Sequence, residues 1–435
     1  MWLRRLMSGL LVGIVCLVFC SIASGGQGLT LDECIRLALE QNPLIQSAHQ
    51  QYEASLARVY QAAAFPQPSV AFDSDQQPRL FNFRGSGESY FGITQTVEFP
   101  GKRLFRGKIA EQESAELLSD NDLLKLTVAF QVKQAFYTLL LAKEKLRYAK
   151  QNLGLAQDFL KKAEFKHGAG DVAKVEVLRA RVEALKAANE VKTVANEESL
   201  AKAMLNFLLA RKKFEALEIK GTLKKLLIPM ELDELIQKAF SFRPEVKKVN
   251  ISLEKEAYRK KQGYLSYFPD FELGLSRHRL EGEKTTWDFT LSFPIPLFFW
   301  QPKKGKIAET EAFIESLEKE LEHLKNSISL EVEEAYRNAL TAASQIQLFE
   351  EELLAQAEEV YNMYLFSYQE GEIGGIELIE ARRTLIEARR SYADALYNYD
   401  VTLAALEKSV GQTLEGETDD QTNVSIRSFN FHRYL

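Results

Sequence analysis

The chain has little of what catalytic and metal sites are usually built from. Only three of its 435 residues are cysteine, five are methionine and five are histidine. Cys16 and Cys20 lie in an apolar N-terminal run, so a processed chain keeps Cys34 alone and forms no intramolecular disulfide. An exported protein of that kind is stabilised by packing or assembly. The histidines, at 49, 167, 278, 323 and 432, have no metal-ligand spacing, and the methionines do not cluster, so no metal site is expected. A phosphate-cradling glycine loop, a nucleophile elbow and a neighbouring Cys/His pair are also missing, which argues against an enzyme and against a cofactor. A net charge of −6 and a pI near 5.7 argue against a nucleic-acid partner. Lys303, Lys304 and Lys306 read as a solvated loop or helix start. After the N-terminal run no apolar stretch reaches the ~20 residues of a spanning helix, so insertion in a bilayer would have to be by strands.

Arg4 and Arg5, the apolar run Leu10 to Cys20, and then Ser21, Ala23, Ser24 and Gly25 have the layout of a secretory signal peptide over residues 1–25, leaving a mature chain that begins near Gly26. Phe19 before Cys20 is bulky where lipoprotein signals carry small residues, so Cys20 is not expected to be lipidated.

The mature sequence is written twice. Leu31-Asp-Glu-Cys-Ile-Arg-Leu-Ala-Leu-Glu-Gln-Asn-Pro43 matches Leu232-Asp-Glu-Leu-Ile-Gln-Lys-Ala-Phe-Ser-Phe-Arg-Pro244, an offset of 232 − 31 = 201. Phe65-Pro66 pairs with Phe268-Pro269, Gly107-Lys-Ile-Ala-Glu111 recurs as Gly305-Lys-Ile-Ala-Glu309, and Val132 to Ala142 aligns with Val332 to Ala342. Gly170, Glu176, Ala180 and Arg181 return as Gly371, Glu377, Ala381 and Arg382. The expected repeats span 26–225 and 226–411, with a polar tail over 412–435. Each carries a short capped helix, a second helix after Pro43 or Pro244, two strands, a very long helix, a glycine turn and another long helix. In the strands, Val70 and Phe72, then Phe91, Ile93 and Val97, alternate with small or polar residues. Phe271, Leu273 and Leu275, then Trp287, Phe289 and Leu291, do the same, as two-faced strands would.

No proline interrupts the sequence from about Arg103 to Lys166 or from Lys303 to Gln369. At 1.5 Å per residue such helices are roughly 90 to 100 Å long, which no compact domain requires. Their apolar spacing is close to seven: Leu378, Leu385, Tyr392, Leu396, Tyr399, Leu403 and Leu406 in one, and Val175, Leu178, Val182 and Leu185 in another, as in coiled-coil seams. Four strands per chain cannot close a membrane barrel, which needs at least about 8, so the barrel must be shared. Two chains give about 8 strands and three about 12, the larger number leaving a lumen.

From Leu29 to about Gly411 the sequence resembles the TolC family of outer-membrane efflux proteins. The resemblance rests on Leu29-Thr-Leu-Asp-Glu, Ala38-Leu39, Asn42-Pro43, the duplicated halves, and the two glycine turns followed by Leu178 to Arg181 and Ile379 to Arg382. It implies a mainly α fold with a membrane β-barrel: long coiled-coil helices forming a periplasmic α-barrel, and four strands from each protomer of a homotrimer forming a 12-stranded barrel. It also implies a passive conduit in the outer membrane, with no enzymatic step. Its partners would be outer-membrane lipid, a periplasmic adaptor and an inner-membrane pump of the proton-driven RND type. The adaptor would dock at the hairpin tips, where Gly168, Gly170 and Asp171 break the first hairpin and Gly371, Gly374 and Gly375 the second. Asp171, Glu370, Glu372 and Glu377 would be the acidic residues of the tunnel mouth. Gln95 to Arg103 is similar to the strand-to-helix junction of the heavy-metal efflux branch, the CusC- and CzcC-like ducts. There Phe99, Pro100 and Gly101 end a strand, and Lys102 and Arg103 face the membrane-water boundary. The second copy departs from that junction with an aromatic belt, Phe293 to Trp300. Heavy-metal cations are therefore the preferred cargo, with drugs or type I secretion substrates next. A periplasmic coiled-coil adaptor or scaffold would not carry two amphipathic strands in each half.

Overall fold

The computed structural model of the chain describes residues 28–75, 87–212, 216–223, 231–295, 297 and 300–414, without the side chains of 300–303. The expected signal peptide, Cys16, Cys20, nearly all of the polar tail, the Lys303 side chain and part of the Phe293 to Trp300 belt lie outside what is described. The order is α1 (Leu31–Gln41), α2 (Pro43–Ala62), β1 (Ser69–Asp75), β2 (Glu88–Val97), α3 (Lys102–Ala169) and α4 (Lys174–Leu208). It then repeats as α5 (Leu232–Phe242), α6 (Pro244–Leu265), β3 (Phe271–Leu280), β4 (Thr286–Ser292), α7 (Trp300–Leu348), a π-helical turn (Phe349–Leu353), α8 (Leu354–Glu370) and α9 (Gly375–Val410).

Local chemistry sets the short helices. Thr30 Oγ1 accepts from the Glu33 amide at 3.3 Å while the Glu33 carboxylate accepts from the Thr30 amide at 2.8 Å, a reciprocal cap on α1. Asn42 and Arg243 are held extended before proline, with ψ of 121° and 122°, so each proline opens the next helix after a one-residue break. Cys34 and Ala38 on α1 are fully buried, and so are Leu235 and Ala239 at the same places, 201 residues on, in α5.

The chain forms two compact units, and each draws on both sequence repeats. One comprises Met1–Ser47, Thr127–Lys225 and Ala342–Val401, and the other Ala48–Leu126, Leu226–Thr341 and Thr402–Leu435. In the first, Phe159, Ala163, Val177, Ala180, Tyr368, Leu378 and Leu385 belong to one core, and Ala156, Ala184 and Ala187 to a second. In the second unit, Leu235, Ala239, Val246, Ile328, Val332, Leu406 and Val410 pack together.

The strands belong to the second unit and form one antiparallel sheet in the order β1-β2-β3-β4. Its register aligns Val70, Ile93, Leu275 and Phe289 in one row and Phe72, Phe91, Arg277 and Trp287 in another of the same face. Between them, on the opposite face, run Ala71, Gly92, Ser276 and Asp288. One face is thus apolar and the other small and polar, as the alternation predicts. All four connections to helices leave from the end marked by Ser69, Val97, Phe271 and Ser292, and the β1–β2 and β3–β4 connections from the other.

Packing within the protomer refines what the spacing of the long helices predicts. The stripe Val175, Leu178, Val182 and Leu185 is not a seam within the protomer, because these residues are 49 to 65% exposed. The buried seam of α4 lies beside it, at Val177, Ala180, Ala184, Ala187, Val194 and Ala201, where small residues allow close helix approach. The second long proline-free stretch stays helical from Trp300 to Glu370 but contains a π turn, Phe349–Leu353, wound more loosely than its flanks. Among the described residues no helix is long and apolar enough to cross a membrane.

Candidate functional site

Both hairpin tips lie in the first unit and are closed alike. Gly170, at φ +87°, lets the Asp171 amide reach back to the Lys166 carbonyl at 2.9 Å. Gly371, at φ +83°, lets Glu372 do the same to Ser367, also at 2.9 Å. These are left-handed helix ends that glycine adopts without strain. Gly168 does not break its helix, contrary to expectation, because α3 runs on to Ala169. A glycine is only a weak helix breaker, and only the left-handed position demands one. Gly374 sits just before α9 with the Glu377 carboxylate over it, and Gly375 is the first residue of that helix.

Side chains join the two tips. The Tyr368 hydroxyl donates to Glu176 Oε1 at 2.9 Å, and its ring lies 5.4 Å from that of Phe159. A Cβ on Gly375 would stand 2.8 Å from Phe159 Cζ and 2.9 Å from Glu176 Oε1, so only glycine fits against this pair. Lys166 Nζ donates to the Tyr368 carbonyl at 2.6 Å and lies 4.7 Å from the Tyr368 ring centre. Burial, and then the bond to Glu176, push the Tyr368 phenol far above its ordinary range, so it remains a neutral donor. The four acidic residues picked from the sequence, Asp171, Glu370, Glu372 and Glu377, are all exposed. Glu176, which was not picked, is the carboxylate drawn between the tips, and its repeat relation to Glu377 was the signal that could have found it.

Two turns along α9 from the tip lies a charged cluster. Glu183 accepts from Arg382 Nη2 at 3.0 Å, from Arg383 Nη2 at 2.8 Å and from Lys186 Nζ at 3.1 Å. Burial alone would raise the Glu183 carboxyl, but Lys186 and Arg383 prevail and hold it below the ordinary carboxylate range. Arg382 is buried, and its Nη1 has no hydrogen-bond partner among the described residues. Glu183, Lys186, Glu190, Arg382 and Arg390 line an open groove of about 900 Å³, into which the π turn brings Phe349 and Leu353. Beside that turn the Tyr392 hydroxyl donates to Glu350, and burial followed by this bond pushes its phenol up to about 12.

The strand-to-helix junction is in the second unit. Asp270 Oδ1 accepts from the Phe99 amide at 2.7 Å and from Lys102 Nζ at 2.8 Å, so Lys102 is committed to an ion pair. The rings of Phe99 and Phe268 stack at 4.4 Å, and the Arg103 guanidinium lies 3.8 Å from the centre of the Phe65 ring. Gly101 has φ +96° and lies against Leu265, which leaves no room for a side chain. Pro100 separates the strand from the helix. Among the described residues no group of three or more His, Cys, Asp or Glu could hold a metal ion.

Comparison with known proteins points one way. The family described as "Outer membrane efflux protein" matches residues 34–211 and again 235–412. The cobalt-zinc-cadmium resistance protein CzcC of Cupriavidus metallidurans is 22% identical over 395 residues, which is 88% of this chain and 90% of that one. A crystal structure of CusC, described in terms of transmembrane channel formation, superposes with a TM-score of 0.74 at 17% identity, covering 88% of this chain and 92% of the other. The outer-membrane channel OprN gives a TM-score of 0.74 at 16% identity over 88% and 90%.

Proposed function

The chain belongs to the outer membrane efflux protein family, and from that premise we propose that three copies form a passive outer-membrane duct that expels heavy-metal cations delivered by a periplasmic adaptor and an inner-membrane pump. The observation that carries this reading is the sheet: four strands, one apolar face, one polar face, and β1 and β4 as its two outer strands among the described residues. Free edges in hydrocarbon would strand backbone donors and acceptors, and neighbouring copies supply the missing partners. Three copies close about 12 strands around a polar lumen. The exposed stripe Val175, Leu178, Val182 and Leu185 supports the same assembly, as the face through which the helices of one protomer meet the next. The tips around Gly170, Asp171, Gly371 and Gly374 are the adaptor-docking ends. There the Tyr368–Glu176 bond, which joins the two hairpins of a protomer, holds the mouth narrow.

Metal cargo is supported by the likeness to a cobalt-zinc-cadmium resistance protein and by the junction from Gln95 to Arg103. Three experiments test the reading. Recovery of the protein only in the soluble periplasm, or failure of purified protein to conduct in planar bilayers, would sink the duct. Deleting the gene should lower tolerance to cobalt, zinc or cadmium. Unchanged metal tolerance with lost drug tolerance would reassign the cargo.

A further inference from the structure

The charges of the sheet are sorted by face. Every carboxylate in the four strands, Asp73 and Asp75 in β1, Glu88 in β2, Glu272 in β3 and Asp288 in β4, occupies the polar face together with His278. Both arginines of the strands, Arg277 and Arg279 in β3, occupy the apolar face with Val70, Phe72, Phe91, Ile93, Leu275, Trp287 and Phe289. The thickness of the sheet therefore separates each arginine from the strand carboxylates. Both guanidinium side chains are exposed, and neither makes an ion pair among the described residues.

Their height on the strand is also informative. Arg277 and Arg279 lie six and eight residues beyond Phe271, roughly 20 and 26 Å along the strand from the helix-bearing end. Barrel strands are tilted by about 35–45°, so these are roughly 15 and 20 Å of height, and a cation is costly at the middle of an apolar band but tolerated near its boundary. The apolar face changes character at this level: the row of Arg277 holds Phe72, Phe91 and Trp287, and the row of Arg279 holds Ser74 and Ser89. Trp287 is 67% exposed at this boundary, where amphipathic rings anchor proteins to headgroups.

We infer that Arg277 and Arg279 form a binding surface for the phosphate groups of outer-leaflet lipid. Guanidinium groups bind phosphate in paired, charge-assisted hydrogen bonds, and two of them on alternate residues of one strand face reach headgroups at the edge of the apolar band. Free phosphate would not select this place, because the flanking Phe91, Trp287 and Leu275 offer it nothing, whereas acyl chains cover them. The inference rests on the outer-membrane duct, which orients the helix-free end of the sheet outward.

The test is lipid retention by full-length protein purified in detergent, titrated with diphosphorylated lipid A, with enzymatically dephosphorylated lipid A and with phosphatidylethanolamine. The wild type should retain the phosphorylated lipid preferentially. R277Q/R279Q should weaken that retention about thirtyfold, near fivefold for each charge lost beside an anionic lipid surface. Asp288→Asn, on the other face, should leave it unchanged. Equal retention of dephosphorylated lipid A by the wild type would overturn the inference without recourse to any variant, as would unchanged binding by R277Q/R279Q. Conductance of the same preparations separates the two readings: channels that conduct but show no phosphate preference remove the lipid surface alone, and a wild type that never conducts removes the duct and this surface with it.

Discussion

The two hairpin tips descend from one sequence pattern and do different work. Both end a helix on a left-handed glycine with the same backbone bonds, yet position 167 of the first is an exposed histidine while its counterpart in the second, Tyr368, is almost wholly buried. Lys174 opens α4 in solvent, whereas Gly375 opens α9 against Phe159 and Glu176. Leu178 is 50% exposed and Ile379, its counterpart, 8%. Duplication preserved the backbone device and let the faces diverge: the second copy turned inward to build the core of the unit, and the first kept an exposed apolar face.

The charged pair shows this divergence at its most costly. Glu183 and its counterpart Thr384 stand 201 residues apart, but only Glu183 neutralises the buried Arg382. Glu183→Ala should destabilise the protein by about 3–5 kcal/mol, because it strands a buried guanidinium. Thr384→Ala, at an exposed hydroxyl, should stay within about 0.5 kcal/mol in the same denaturant titration. The pH dependence has a definite sign. The Glu183 carboxyl is depressed in the folded protein, so its contribution is present above the ordinary carboxylate value and is lost as pH falls through the folded value. An acid titration should show this loss in the wild type and not in Glu183→Ala.

The helix faces can be separated in the same way. Ile379→Ala should cost about 2–5 kcal/mol of stability, as for any large core side chain cut to a methyl group. Leu178→Ala should cost the protomer little, within about 0.5 kcal/mol, and instead weaken association. Size-exclusion chromatography beside thermal unfolding distinguishes the two losses. Equal destabilisation of the protomer by both would break the claim that the first copy keeps its face for a neighbour.

How much of this was legible in the sequence follows from which signals are local. The strands, their faces and the repeated order of elements came from alternation and self-similarity, which a sheet and a duplication write directly into the residues. Spacing alone does not tell a seam within the protomer from a face open to another chain: the buried seam of α4 is made of small residues, mostly alanine, and the stripe of larger ones beside it is exposed. Glu176 and Arg382 stand out as repeat positions, but their partners Tyr368 and Glu183 do not, since long-range pairing leaves no mark on spacing among 61 acidic and 55 basic residues. The π turn at Phe349–Leu353 carries neither proline nor glycine and so had no local signature.

Tyr368→Phe is a smaller and more selective test of the tips. It removes the bond to Glu176 and keeps the ring against Phe159, so it should cost about 0.5–1.5 kcal/mol. Because burial raises the folded phenol above its ordinary value, its stabilisation is complete below about pH 10 and is lost as pH rises beyond it. The wild type should therefore weaken in alkali more than the phenylalanine variant. Parallel alkaline profiles would show that Tyr368 is not the group whose deprotonation costs stability.

The smallest effects should differ in sign, which makes them a clean probe of backbone alone. No neighbour stands within 4 Å of a Cβ placed on Gly168 or on Gly371, so packing does not enter either substitution. Gly168 is helical, and Gly168→Ala should stabilise by about 0.5–1 kcal/mol through lost freedom of the unfolded chain. Gly371 has φ +83°, and Gly371→Ala should destabilise by about 1 kcal/mol because a Cβ crowds the carbonyl there. Matched thermal unfolding of the two variants decides whether the chain reverses at the left-handed residue alone. Stabilisation by both would mean that the second tip can close without a left-handed residue at 371, and loss of stability at 168 would restore that glycine as part of the first turn.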